Sequence, residues 1–280
     1  METLHFENNQ FPLYCKTESF EKQTEHSAMS HWHENIEMVC VIEGSLVCKT
    51  SGLEFTLKKG DVCFINRKQL HLICTKDKNT LQTVFILGTS LISQNSFIYE
   101  KHMQQILEDP LFSHAKFDRD TISAINFTIS INHIQKLLAE KEIGYEFEAM
   151  SEIYKICKHL YIAYKSSSQN LVFDNNALTQ QKMAEYIYLN YSKPLTLDNI
   201  ASSGCVSRSQ CTKLFRHYAS ISPIAFLNRH RLEVSCDFLR STTNSIAEIS
   251  LNCGFTDQSY FNRLFFKNYG CTPLSYRKRV

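Results

Sequence analysis

No stretch of this 280-residue sequence approaches the roughly 18–20 consecutive apolar residues needed to span a bilayer, so no membrane partner is expected. The opening METLHFENNQFPLYCKTESFEK lacks a basic segment followed by an apolar run, so no secretory signal is expected and the chain reads as cytoplasmic. Its eleven cysteines are odd in number, scattered among apolar neighbours and never form Cys-x-x-Cys. That spacing argues against a disulfide framework and for reduced, buried thiols. Tryptophan occurs once, at Trp32, placed either in the core or against a ligand ring. A large excess of one charge is also missing, since 30 Lys+Arg against 28 Asp+Glu leave +2.

What is present is unevenly distributed. Hydrophobic residues at 43% and charged residues at 21% support folded cores, in a chain long enough for two domains. From Gln180 to Val280 there are 13 Lys+Arg against 6 Asp+Glu, whereas the remainder holds 17 against 22. A basic C-terminal third on an acidic body predicts that the tail, not the body, meets a polyanion.

The fold class reads as α+β. IEMVCVIEG, SLVCKT, LEFTLKKGD and VCFIN are β-branched and aromatic-rich runs separated by glycines or charged turns, and LQTVFILG (81–88) is another. Gly44, Gly52 and Gly60 recur eight residues apart, which fits a meander or barrel of short antiparallel strands. From 100 to 165, Ile122, Ile125, Ile129, Ile131, Ile134, Leu137 and Leu138, then Ile153, Ile156, Leu160 and Ala163, mostly step by three and four. That predicts a central pair of helices broken near Gly144, covering the barrel or forming a dimer interface. SSSQNLVFDNN (166–176) reads as a linker. Beyond Gln180 the chain reads as all-α, with Ser222-Pro223 and Thr272-Pro273 as helix starts and Ser245-x-x-Glu248 as a capping box.

This basic region repeats itself. Thr196–Ile200 matches Ser245–Ile249 at an offset of 49, and Lys213-Leu214-Phe215 matches Arg263-Leu264-Phe265 at an offset of 50, one residue being inserted in the second turn. Each repeat reads as a short helix, a turn of small residues and a longer helix, which is a helix-turn-helix. The longer helices carry polar stripes at i, i+1, i+4 and i+5: Arg208, Ser209, Thr212 and Lys213, then Gln258, Ser259, Asn262 and Arg263. Arg and Lys pair with guanine edges, Gln and Asn with adenine, so these eight are the base-reading candidates. Arg216, Lys267 and Arg277, with Arg229, Arg231, Lys278 and Arg279, are phosphate-contact candidates. A helix from Ser222 to about Arg240 would be ~28 Å long, near one ~34 Å turn of B-DNA, and would space the two readers along one face of a duplex.

The run SIAEISLNCGFTDQSYFNRLFFKNYGCTPLSYRKR resembles the signature of AraC/XylS-type transcription regulators, and LTLDNIASSGCVSRSQCTKLFRHYASISPIAFLNRHRL resembles their first repeat. Departures are Cys205 at the first-turn glycine position, Ser250 for an alanine, and Phe266 where a basic residue is common. The resemblance covers about 100 residues and implies a seven-helix domain whose two recognition helices read adjacent major grooves. His31-Trp32-His33-x3-Glu37-x6-Gly44 and Gly60-Asp61-x4-Asn66-x4-His71 resemble the two motifs of cupin-type sensor domains, with Asn66 in place of a proline and Lys68 in place of a glycine. On that pattern His31, His33, Glu37 and His71 would converge at the barrel mouth. They would serve packing, hydrogen bonding or effector contact, or hold a divalent metal.

The resulting expectation is an N-terminal cupin-like β-barrel, a central helical pair and a C-terminal all-α domain with two helix-turn-helix motifs. The boundaries are 1–105 for the effector-binding domain, 106–165 for the helical dimerisation region, 166–179 for a flexible linker and 180–280 for the DNA-binding domain. The function expected is a sequence-specific transcription regulator modulated by a small molecule, by family analogy a sugar, with a homodimer and RNA polymerase as further partners. No catalytic residue and no cofactor is expected, apart from the metal alternative, and Asp61 reads as part of a turn. Two alternatives stay open: a metal-dependent cupin enzyme carrying a DNA-binding domain, and a constitutive DNA binder whose barrel only dimerises.

Overall fold

The computed structural model of the chain describes residues 6, 8, 10–19, 31, 33–50, 52–75, 77, 79–109, 111–167 and 175–278. The expectations for Trp32, for Arg279 and for linker residues 168–174 lie outside them. The chain divides into two compact units, one through Ser167 and the other from Asn175.

The first unit is built on two antiparallel sheets. One has the order β1 (Leu13–Ser19), β7 (Leu81–Leu87), β2 (Ile36–Glu43), β5 (Val62–Ile65), β8 (His114–Phe117); the other has β4 (Leu53–Lys58), β3 (Ser45–Thr50), β6 (His71–Cys74). Five of these strands follow the β-branched runs of the sequence. β1, β6 and β8 do not, because LYCKTES, HLIC and HAKF are short or polar and are made strands by their partners.

Alternation sorts each strand into two faces. Met38 and Cys40 of β2, Val62 and Phe64 of β5, and Phe85 and Leu87 of β7 point to one side, where they join Phe127, Ile131, Ile134, Ile153, Ile156 and Leu160 in the main core. Those helical residues belong to α4 (Ile122–Glu140) and α5 (Tyr145–Ser167). The intervening Val39, Val41, Cys63 and Ile65 meet Leu46, Cys48 and Leu57 of the other sheet and fill the barrel. The helical pair therefore shares the core of the barrel unit. Between β7 and α4 lie three short helices, α1 (Ser90–Ser93), α2 (Ser96–Ile98) and α3 (Gln104–Leu107), with a π-turn at Tyr99–Met103 joining the last two.

One helical expectation is corrected. Ile122, Ile125 and Ile129 do not cover the barrel: they are 75%, 50% and 60% exposed. The buried face of α4 runs instead through Ala124, Phe127, Ile131, Ile134 and Leu137, which lie on the opposite side at 100° per residue. The isoleucines of α4 lie on both of its faces, Ile131 and Ile134 inward and the other three outward.

The second unit has, among the described residues, seven helices: α6 (Asn175–Asn190), α7 (Leu197–Ser203), α8 (Arg208–Ala219), α9 (Pro223–Ser241), α10 (Ile246–Asn252), α11 (Gln258–Tyr269) and α12 (Pro273–Arg277). Starts are fixed by side chains that accept orphan amides. Ser207, Ser222, Asp257 and Thr272 cap α8, α9, α11 and α12. Ser245 and Glu248 form the expected capping box at α10, and Thr196 with Asn199 forms a second one at α7. Phe261 and Phe265 of α11 are fully buried with Leu232, Cys236 and Leu239 of α9 and Ile249, Cys253 and Phe255 from the α10 segment. Each such phenylalanine contributes about 2–3 kcal/mol of burial free energy, which holds α11 in place while its other face stays in solvent.

Candidate DNA-reading surface and effector site

The two helix-turn-helix units close on the same backbone geometry. In the second, Gly254 takes φ +85°, and a Cβ there would lie 2.5 Å from Tyr191 O. At the matching place in the first, Cys205 takes φ 55° and carries a side chain through that left-handed conformation. The departure seen in the sequence thus changes the residue and not the turn. On α8, Cys211, Leu214 and Phe215 are buried, and Arg208, Ser209 and Lys213 are exposed. On α11, Phe261 and Phe265 are buried, and Gln258, Ser259 and Arg263 are exposed.

At the other site, an antiparallel bridge brings His31 against His71: His31 N donates to His71 O at 2.8 Å, and His71 N to His31 O at 2.9 Å. β2 supplies Glu37 on the inner face, opposite Ile65 of β5. His33 Nε2 and His71 Nε2 lie 2.8 and 3.0 Å from the same oxygen, Glu37 Oε2, and His31 Nε2 lies 4.0 Å from it. One ligand atom from each of His31, His33, Glu37 and His71 falls within 4.8 Å of the others.

The backbone fixes the tautomers. His33 Nδ1 is 2.9 Å from Asn35 O, and His71 Nδ1 is 2.8 Å from Gln69 O. A carbonyl only accepts, so both Nδ1 atoms carry protons, and each neutral ring turns its Nε2 lone pair towards the carboxylate. Lone pairs facing an anion require a cation between them, either protons or a metal. The donor set, imidazole nitrogens oriented by backbone carbonyls beside a carboxylate, therefore fits a divalent transition metal. Burial opposes charge on Glu37, but the His71 charge and hydrogen bonds from His33 and His71 outweigh it and hold the carboxyl well below its ordinary value. Burial likewise opposes charge on His71, and Glu37 overcomes this and raises it.

Two motif departures also have physical accounts. Asn66 is 1% exposed and donates to Ile106 O and Phe112 O at 2.8 and 2.9 Å, so it staples the β5–β6 turn to the α3 segment. Lys68 adopts φ 61°, which is left-handed backbone at the place the motif gives to glycine. Asp61 accepts from Lys58 N and Arg119 N, a turn-stabilising role.

A domain family described as a helix-turn-helix domain matches residues 200–279, and one described as a cupin domain matches residues 18–86. Over 273 residues the chain is 22% identical to YdeC of Bacillus subtilis (strain 168), an uncharacterized HTH-type transcriptional regulator, covering 96% of this chain and 92% of that protein. It is 22% identical over 252 residues to the HTH-type transcriptional activator RhaS of Escherichia fergusonii, covering 89% and 87%. The chain thus carries a helix-turn-helix domain of the AraC type and an N-terminal cupin domain, and over most of its length it is similar to HTH-type transcriptional regulators. The fold of this chain is shared with the apo crystal structure of a ToxT point variant from Vibrio cholerae strain SCE256, at a TM-score of 0.52 and 12% identity over 97% of this chain and 98% of that one. Among its described residues no helix is long and apolar enough to cross a membrane.

Not every residue singled out in the sequence is free to meet DNA. Arg208 donates through Nε and Nη2 to the two carboxylate oxygens of Asp198, and these hydrogen bonds, with the charge behind them, hold the carboxyl below its ordinary value. Thr212 is half-buried and its hydroxyl donates to Arg208 O. Asn262 is half-buried, with a buried Oδ1 that has no protein partner. Arg216 and Lys267 are exposed, as phosphate contacts require.

Three other phosphate candidates have partners within the protein. Arg231 is 8% exposed and donates to Tyr191 O and Lys193 O, both at 2.8 Å. Arg229 pairs with Glu233 at 3.2 Å, and Arg277 is half-buried with Nη2 donating to Asn244 O. Their charges hold the unit together. The Asp198–Arg208 pair went unread because its members stand ten residues apart across a turn, a spacing with no periodic signature.

Proposed function

We propose that this AraC-type regulator reads two successive major-groove segments. Arg263, Gln258 and Ser259 would face one, and Lys213 and Ser209 the other, with Asn262, Arg208 and Thr212 beside them less free to reach a base. Arg216 and Lys267 would take phosphates. What carries the reading is that exposed polar stripes stand at matching positions of two helix-turn-helix units, each backed by buried aromatic residues. α9, at 19 residues and ~28 Å, fits the spacing between grooves, with the remainder of a ~34 Å turn taken up by bending the DNA.

An effector at His31, His33, Glu37 and His71 biases this activity by binding two states of the protein with different affinity. The Glu37 carboxylate and the imidazole nitrogens beside it suit a ligand that donates through hydroxyl groups, a sugar among them. RhaS is named a transcriptional activator, which supports activation with RNA polymerase as partner. The protein acts in the cytoplasm. A homodimer completes the reading, and the exposed Ile122, Ile125 and Ile129 of α4 are the surface on which to test it by sedimentation.

The test uses the full chain and a duplex selected from a random pool. Arg263→Ala and Lys213→Ala should each cost about 1–3 kcal/mol at the selected site and relax one position. Equal losses on selected and random DNA would make both residues phosphate contacts and remove the base-reading claim.

A second reading, metal-dependent chemistry in the cupin unit, is favoured by one observation, the convergence of three imidazoles and a carboxylate within 4.8 Å. There His31, His33, His71 and Glu37 would hold the ion, which supplies Lewis acidity when bound. Stoichiometric metal in the purified protein together with turnover of a small substrate would favour it, and metal-free protein with an intact effector response would end it.

A further inference from the structure

A guanidinium that reads guanine must present two in-plane N–H donors at once. An exposed arginine can be held still in two ways. A carboxylate fixes it through those same donors, whereas an aromatic ring fixes it through its flat face and leaves the donor edge free. The two repeats show one of each. In the first, Asp198 occupies Nε and Nη2 of Arg208. In the second, the Arg263 guanidinium carbon lies 5.6 Å from the centre of the Tyr260 ring, one turn earlier on α11. Among the described residues no acceptor takes its N–H groups.

Tyr260 is itself fixed from three directions. Its backbone N–H donates to Asp257 Oδ1 at 2.6 Å. Its hydroxyl accepts from Asn228 Nδ2 on α9 at 3.1 Å. Its ring meets the Phe255 ring edge-on, with centroids 6.4 Å apart. It stays 38% exposed, on the solvent side of a helix whose other face is buried. At the offset of 50 the first repeat has Gln210 in its place and Lys213 in place of Arg263, so that reader has no aromatic shelf.

We infer that Tyr260, tethered by Asn228, is a positioning residue for base recognition: its ring holds Arg263 with the donor edge free for a guanine. This rests on the reading of Arg263 as a base contact. It makes the Arg263 position more discriminating than the Lys213 position, because a point charge on a flexible stem selects guanine less sharply than a stacked fork.

Selection from a random duplex pool with the full-length chain separates the two claims. Arg263→Ala should abolish guanine preference at one position. Tyr260→Leu should weaken preference at that same position about two- to fivefold, as expected for an exposed cation–π contact, with other positions and helicity by circular dichroism unchanged. Tyr260→Phe, which keeps the ring face, should retain most of the preference. An even loss at all positions in Tyr260→Leu would overturn the inference, as would intact guanine preference in that variant where Arg263→Ala has lost it. If Arg263→Ala leaves every position unchanged, the base-reading claim fails first.

Discussion

At the scale of single residues, Cys205 and Asp198 each set something that a neighbour would otherwise decide. Cys205 holds left-handed backbone at φ 55° and is exposed, and its counterpart is Gly254. A side chain in that region costs about 1–2 kcal/mol relative to glycine. Cys205→Gly should therefore stabilise the second unit by about 1 kcal/mol, after the larger backbone entropy of glycine in the unfolded chain is subtracted. Chemical denaturation followed by helicity reads this directly, and a loss of stability would mean that the Cys205 side chain contributes contacts beyond its turn. Asp198 acts on binding instead. Its ion pair with Arg208 lies in solvent and adds little to stability, but it occupies donors and, on the proposed reading, would set an anion close to DNA. Asp198→Asn should tighten binding to random duplex at low salt and steepen the salt dependence, both read by fluorescence anisotropy.

Among the elements, α9 does more than connect the two repeats. Phe226, Leu227, Leu232, Cys236 and Leu239 put one side of it into the core, and His230 packs edge-on against Tyr188 and Tyr191 from the α6 segment at centroid distances of 4.3 and 4.9 Å. Burial pushes His230 down to about 4, so it is neutral there at physiological pH. Arg231, next along, donates to two carbonyls beyond the end of α6. Arg231→Leu keeps bulk but leaves both carbonyls without their charged donor, at a cost of about 3 kcal/mol. The expected signature is a lower thermal midpoint of the second unit with an unchanged salt slope of DNA binding. A reduced slope would return Arg231 to the phosphate contacts.

For the whole molecule, the informative variable is which cation, proton or metal, sits among His31, His33, Glu37 and His71. Without metal, Glu37 raises His71 above its ordinary value against the opposing effect of burial and so favours its protonated form. The sign follows from linkage. Charge pairing at His71 contributes stability fully below its ordinary value of about 6.5 and loses it as pH rises through the raised folded value. A divalent ion competes with that proton, so metal binding should strengthen over the same rise in pH. Thermal shift of the EDTA-treated protein should show a small gain on adding Zn2+ or Mn2+ at pH 6 and a larger one at pH 8. His71→Ala should abolish both gains, and a flat response at both values would leave the cluster as an effector or packing site.

Local chemistry wrote much of this protein plainly. The helix starts at Ser222, Ser245 and Thr272, the repeat at offsets of 49 and 50, and the apolar and polar sides of α8 and α11 are all short-range or periodic features, because capping and burial act within one or two turns. The residues of the His31, His33, Glu37 and His71 cluster were also legible, as motif positions. What the tertiary structure alone decided were pairings between distant places. They include β1, β6 and β8, which are strands only beside their partners, and Asn66 bonding Phe112 O from 46 residues away. The same holds for Arg231 turned inward, Arg208 claimed by Asp198, and Arg263 laid on a ring tethered from α9. A charged side chain has reach enough to choose among several partners, and which one it meets is fixed only when the backbone has folded. Sequence thus determined which helices could read DNA, and packing decided which of their charges remained free to do so.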